Sequence, residues 1–128
     1  MSTGKTVLVA DDNPMIQKVL RRAFEEGGYQ VISALDGAAA IEMARIFLPN
    51  LIILDRQMPT MDGRDVLVRL KGDPTLSHLP VVFFTGSNDQ TDRVEGLKLG
   101  AEEYFEKPFP ASMLRSRVDR ILERVAAA

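Results

Sequence analysis

With 128 residues, 45% hydrophobic and 27% charged, the chain has the length for one core and the make-up of an ordinary globular domain. A formal net charge of −2 argues against a nucleic-acid or anionic-membrane surface, and the lack of cysteine excludes disulfides, thiol catalysis and thiolate metal sites. One histidine, His78, cannot build a histidine-rich metal centre, and no apolar run reaches membrane length, which points to the cytoplasm.

Taken in order, Thr6–Ala10 predicts an apolar strand ending at Asp11-Asp12. Asn13 suits a helix N-cap and Pro14 the first helical position. The helix carries Ile16, Val19, Leu20 and Phe24 at helical spacing and stops at Gly27-Gly28. Gln30–Ala34 predicts a second strand. Asp36 caps the next helix, with Ile41, Ala44 and Leu48 inward and Pro49 closing it. Leu51-Ile52-Ile53-Leu54, fenced by Pro49-Asn50 and Pro59, is too short for a buried helix and suits a strand covered on both faces. Pro59–Gly63 is a loop, followed by a short helix with Val66, Leu67 and Leu70 inward. His78 falls in the connection Gly72–Pro80, where solvent suits it. Val81–Phe84 is another apolar strand, leading to Thr85-Gly86-Ser87. A helix around Asp89–Leu99 ends at Gly100, a left-handed cap; Glu102–Glu106 is the last strand, and Lys107-Pro108 follows. Pro110 opens a final helix with Met113, Leu114, Val118, Ile121, Leu122 and Val125 as its stripe, and the alanines from Ala126 onward should fray.

This alternation predicts an α/β fold, a five-stranded parallel sheet with helices on both faces, joined by right-handed crossovers. Repeats, linkers and low-complexity segments are absent from the sequence. A strand buried on both faces has no polar side, so Asp55 emerges at its end, the edge where open α/β sheets bind ligands. Singly, Asp11, Asp12 and Asp55 read as caps, Thr85 as a strand-end hydroxyl and Lys107 as a solvated charge. Jointly they read differently. If the strand order is 2-1-3-4-5, all five stand along one edge, where crowded carboxylates repel one another. A hard divalent cation such as Mg²⁺ relieves that repulsion with few protein oxygens. Asp55 then becomes a usable nucleophile toward phosphorus, with Lys107 as a second positive charge and Thr85 as a hydroxyl donor.

Asp11-Asp12, Asp55, Met58-Pro59, Asp62-Gly63, Thr85 and Lys107-Pro108-Phe109 together make the chain resemble the receiver domain of a two-component response regulator, of the chemotaxis-regulator kind. The likeness runs from Thr6 to about Val125 and supplies the flavodoxin-like order 2-1-3-4-5, which the residues alone do not dictate. It implies one receiver domain over 1–128 with an ordered core at about 5–125. By the same resemblance Asp55 is the phosphoacceptor. Asp12 and Asp55 bind Mg²⁺ directly with the main-chain carbonyl of Gln57, and Asp11 acts mainly through a metal-bound water. Thr85 and Tyr104 match the switch pair, and the bond before Pro108 is expected to be cis. The partner is a histidine kinase or a histidine phosphotransfer protein. The output surface is expected around the fourth helix, fifth strand and fifth helix, with Arg93, Glu95, Tyr104, Glu106 and Arg117 as candidates, and a phosphorylation-dependent dimer is compatible with it. Neither direct nucleic-acid binding nor a membrane is expected, and no enzymatic role beyond self-phosphorylation and slow self-dephosphorylation of Asp55. The basic residues Lys18, Arg21 and Arg22, and Arg115, Arg117, Arg120 and Arg124, are read as solvated faces.

Gly86 stands where the family more often has alanine, and Gln57 and Ser87 occupy positions that tune phosphate lifetime. Met1 is taken as a natural start. Two other classes share parts of this pattern. A haloacid-dehalogenase-like phosphatase uses a strand-end Asp with Mg²⁺, Thr and Lys, but needs an acid/base Asp two residues after the nucleophile, where Gln57 stands. A flavodoxin-like FMN binder needs a phosphate loop after the first strand, where Asp11-Asp12 would repel phosphate.

Overall fold

Apolar runs become strands and the segments between them helices: β1 (Thr6–Ala10), α1 (Pro14–Glu26), β2 (Gln30–Ala34), α2 (Gly37–Phe47), β3 (Leu51–Leu54), α3 (Gly63–Gly72), β4 (Val81–Thr85), α4 (Gln90–Lys98), β5 (Glu103–Glu106) and α5 (Ala111–Ala127). The computed structural model describes residues 3–86 and 90–127, residue 127 by its backbone only. All strand pairs are parallel and the order is β2-β1-β3-β4-β5. The expected α/β fold and strand order are both present.

The strands' two-residue period divides the core between the two faces of the sheet. Leu8, Ala10, Ile52, Leu54, Val81 and Phe83 pack with Ile41 and Ala44 of α2 and Val66, Leu67 and Leu70 of α3. Val7, Val9, Leu51, Ile53, Val82 and Phe84 pack with Leu20 and Phe24 of α1 and Leu114, Val118 and Ile121 of α5. The side chains of β3 serve both faces and are all buried, each stabilising the fold by about 1.5–3 kcal/mol. That dense centre fixes where β3 ends, and so where Asp55 begins.

Local signals act largely as expected. Asn13 caps α1 by accepting from the amides of Met15 (2.9 Å) and Ile16 (3.3 Å), and Asp36 caps α2 through the Ala39 amide (2.8 Å). Gly100 has φ +113 after α4. His78 is exposed. Several predicted inward residues lie elsewhere. Val19 is exposed because the inner stripe of α1 runs through Gln17, Leu20 and Phe24. Leu48 is not on the α2 face; it is the exposed left-handed cap of that helix, at φ 45. On α5, Met113 lies one position off the buried stripe and is exposed, as is Val125, a turn beyond Ile121 at the rim of a cleft beside Lys5 and Pro49. α5 remains helical through Ala127 where fraying was expected, and β5 starts at Glu103, one residue later than predicted. Ser87, the predicted helix start at Asp89 and the final alanine lie outside the described residues.

Candidate functional site

The sheet ladder carries on one residue past β1 and β3. Asp11 N–H donates to Ala34 O (3.0 Å) and Asp55 N–H to Ala10 O (2.9 Å), so the two aspartates leave adjacent strands side by side. Next along the edge, the amide of Lys107 donates to Thr85 O (2.8 Å). The peptide bond Lys107-Pro108 is cis. Gly63 explains the tight return after β3: a Cβ there would sit 2.2 Å from Asp55 O, and its N–H donates to Arg56 O at 2.8 Å. Only glycine tolerates that approach.

Lys107 Nζ donates to Asp11 Oδ2 at 2.8 Å and lies 3.4 Å from Asp55 Oδ2. The ammonium therefore sits closer to Asp11 than to Asp55. Asp11 Oδ1 also accepts from the Asn13 amide at 2.9 Å. One oxygen each of Asp11, Asp12 and Asp55 fall within 4.8 Å of one another; Asp11 and Asp55 are buried and Asp12 is exposed. Burial pushes the Asp11 carboxyl above its ordinary range, outweighing the hydrogen bonds from Lys107 and Asn13. Burial alone would depress Lys107, but the Asp11 hydrogen bond and the charges of Asp55 and Asp11 hold it above its usual value. One ammonium thus pairs with two carboxylates of a cluster of three. A divalent cation corrects that imbalance, and the all-oxygen donor set suits Mg²⁺.

Thr85 ends β4 almost fully buried, and Tyr104 of β5 is buried, its ring 5.6 Å from that of Phe83 and 5.8 Å below the Arg93 guanidinium. Gln57 is exposed two residues beyond Asp55. A Cβ at Gly86 would meet nothing within 4 Å, so no close contact demands glycine there. Of the candidate output residues, Arg93 and Arg117 flank β5 from opposite faces, Arg117 pairing with Glu103 at 3.3 Å; Glu106 is exposed. Glu95 of α4, partly exposed, pairs with Arg64 at 2.6 Å.

Sequence reasoning missed two residues. Gln17 Nε2 donates to Val9 O (2.9 Å), Asp11 O (2.9 Å) and Ala34 O (3.0 Å), pinning the ends of β1 and β2 beneath the acidic loop. Its signal was a polar residue interrupting the stripe that Leu20 and Phe24 continue. Arg56, beside Asp55, reaches α3 and α4; in sequence it was one more charged loop residue.

This topology, with carboxylates and a lysine converging at the carboxyl edge, defines a doubly wound α/β domain whose strand ends carry an acidic cluster of the kind that suits a hard cation. Residues 7–119 match the response regulator receiver domain family, and the chain belongs to it. It is 38% identical over 121 residues to the alkaline phosphatase synthesis transcriptional regulatory protein PhoP of Bacillus subtilis, covering 94% of this chain and 50% of that protein. The chain spans about half the length of the first curated relatives it matches. Among solved structures, the receiver domain of the Francisella response regulator 1452 superposes with a TM-score of 0.88 at 31% identity, covering 94% of this chain and 98% of that one. The Mn²⁺-bound form of response regulator Rcp1 gives 0.82 at 26% identity, covering 93% and 95%. The chain is thus a receiver domain of the two-component response regulators, a signalling module. No helix among the described residues is long and apolar enough to cross a membrane.

Proposed function

We propose that Asp55 is the phosphoacceptor of this receiver and that residues 1–128 act as one phosphorylation-controlled switch. The observation that carries the reading is the position of the buried Asp55 carboxylate, 3.4 Å from Lys107 Nζ and clustered with Asp11 and Asp12. An Asp55 oxygen attacks the phosphorus of a phosphohistidine on a histidine kinase or histidine phosphotransfer protein. The new O–P bond forms as the P–N bond breaks, and the electron pair leaves on the imidazole nitrogen, which takes a proton. Asp11, Asp12, Asp55 and the Gln57 carbonyl would hold Mg²⁺, which when bound supplies positive charge to the phosphoryl oxygens. The Mn²⁺-bound Rcp1 receiver supports a divalent cation in this fold.

Lys107, already shared between Asp11 and Asp55, neutralises a further phosphoryl oxygen, and the Thr85 hydroxyl donates to another. Phosphorylation adds roughly one to two negative charges at one point. Thr85 moves toward them and Tyr104 takes up the space released, shifting a two-state equilibrium that remodels the surface around β5. The cytoplasm is where its donors act. Family membership and the residue at Gln57 weigh against a dehalogenase-like phosphatase, and Asp11-Asp12 weigh against FMN binding.

Acetyl phosphate with Mg²⁺, read by intact-mass spectrometry, tests this directly. Wild type gains one phosphoryl adduct, while Asp55→Asn and chelator-treated protein gain none. An equal adduct on Asp55→Asn would overturn the assignment.

A further inference from the structure

Arg56 follows Asp55 in the chain, yet its side chain is only 15% exposed and is occupied away from the acidic cluster. Its Nε meets Asp62 Oδ1 at 2.9 Å, Nη1 meets Asp92 Oδ1 at 3.0 Å and Nη2 approaches Glu95 Oε1 at 3.8 Å. Arg64 Nε donates to the same Glu95 oxygen at 2.6 Å. Asp62 also caps α3 through the Arg64 amide (2.8 Å), so its carboxylate is held in place. Two guanidinium groups on the β3–α3 side therefore grip two carboxylates, Asp92 and Glu95, from successive turns of α4. Ordering Arg56 once serves three contacts, and the planar fork of arginine, unlike the point charge of lysine, addresses them together.

The helix they grip has little else. Of its described residues only Gly96 is buried, while Val94 and Leu97 are exposed. We propose that Arg56 and Arg64 form an ionic latch that fixes α4 against α3 and couples the position of α4 to the carboxyl end of β3. The coupling follows from the backbone. Residues 55 and 56 are wedged against Gly63, with Asp55 O at 2.2 Å from where a Cβ would be and Arg56 O hydrogen-bonded to the Gly63 amide. A displacement at Asp55 has no slack loop to absorb it and passes along Arg56 to the first turn of α4.

Hydrogen exchange by mass spectrometry on the intact, metal-free domain tests the latch, with α5 as internal control. Arg56→Gln and Glu95→Gln should each speed exchange of α4 amides about three- to tenfold and leave α5 unchanged. Arg56→Lys should restore only part of the protection. About 1 M salt, where screening reaches about 3 Å, should speed α4 exchange in wild type and add little to Arg56→Gln. Unchanged α4 exchange in both variants, or equal acceleration of α4 and α5, would overturn the latch.

The coupling rests on Asp55 being the phosphoacceptor, whereas the latch does not. Beryllofluoride with Mg²⁺ should slow exchange around Asp55 and alter α4 exchange in wild type, with the α4 response reduced at least about threefold in Arg56→Gln. A full α4 response in Arg56→Gln would overturn the coupling. No protection around Asp55 in wild type would instead count against the phosphoacceptor assignment.

Discussion

Two helices flank β5, and they are held in opposite ways. α5 buries Leu114, Val118, Ile121 and Leu122 against the sheet; Arg115 Nη1 donates to Ala23 O at 3.1 Å, and Asp119 accepts from the Tyr29 hydroxyl. α4 places Gly96 over Phe83, where a Cβ would come within 3.1 Å of the ring, and turns its larger apolar residues outward. Full burial of an aliphatic side chain stabilises by about 1.5–3 kcal/mol, while ion pairs whose carboxylates stay 30–46% exposed, as those of Asp62, Asp92 and Glu95 do, are screened by solvent and contribute less. By that scale α5 is part of the core, whereas α4 is attached to it largely by charges that salt can perturb. The difference teaches where a switch can be built: the element that responds is the one whose attachment is weak enough for a local charge to compete with it.

The largest test of this contrast is Leu114→Ala. Leu114 is fully buried at the centre of the α5 stripe, so its truncation should cost about 2–5 kcal/mol, seen as a lower urea midpoint with an unchanged slope. A cost below about 1 kcal/mol would mean that α5 is no better anchored than α4.

How much of this could be read from the sequence follows from the range of the interactions. The strands, caps and apolar centre were legible because they are local: β3 is a bare apolar run, and Asn13 and Asp36 bond amides only two or three residues away. The edge bearing Asp11, Asp12, Asp55, Thr85 and Lys107 was legible because strand ends in this fold have one destination. The sharing of Lys107 toward Asp11 was not, since it depends on contacts 96 residues apart in the chain. The latch was hidden for the same reason: Arg56 and Glu95 were each visible as charges, but nothing local pairs them. The faces assigned to Val19 and Met113 failed because helical spacing alone does not say which side of a helix the sheet will cover, and that of Leu48 failed because α2 ends at Phe47, one residue before it.

A smaller effect sharpens the comparison at the amino end of β2. Tyr29 is buried, its ring set edge-on to Phe24 with centroids 5.3 Å apart, and its hydroxyl ties β2 to α5 through Asp119. Tyr29→Phe keeps the ring and removes the tie, for an expected cost of about 1–2 kcal/mol in urea unfolding. Burial first, then the hydrogen bond and charge of Asp119, raise the Tyr29 hydroxyl above its ordinary value of 10.0. A group whose value is raised on folding stabilises fully below its unfolded value and loses that contribution as pH rises through the folded one. The difference between wild type and Tyr29→Phe should therefore stay constant from about pH 7 to 9 and shrink only above about pH 10. A difference already shrinking at neutral pH would remove this hydroxyl from the ties that hold α5.

The smallest expected effect is the most direct probe of α4. Val94 is 48% exposed, and serine has nearly the same helix propensity as valine, so Val94→Ser changes apolar contact and little else. If charges rather than packing seat this helix, the substitution should shift unfolding stability by no more than about 0.5 kcal/mol and leave α4 amide exchange at the wild-type rate. Arg56→Gln, by contrast, should accelerate that exchange about three- to tenfold. A penalty above about 1 kcal/mol for Val94→Ser, with faster α4 exchange, would show apolar packing holding α4 after all. The two helices would then differ in degree, and the charges around Arg56 would lose their claim to set the position of α4.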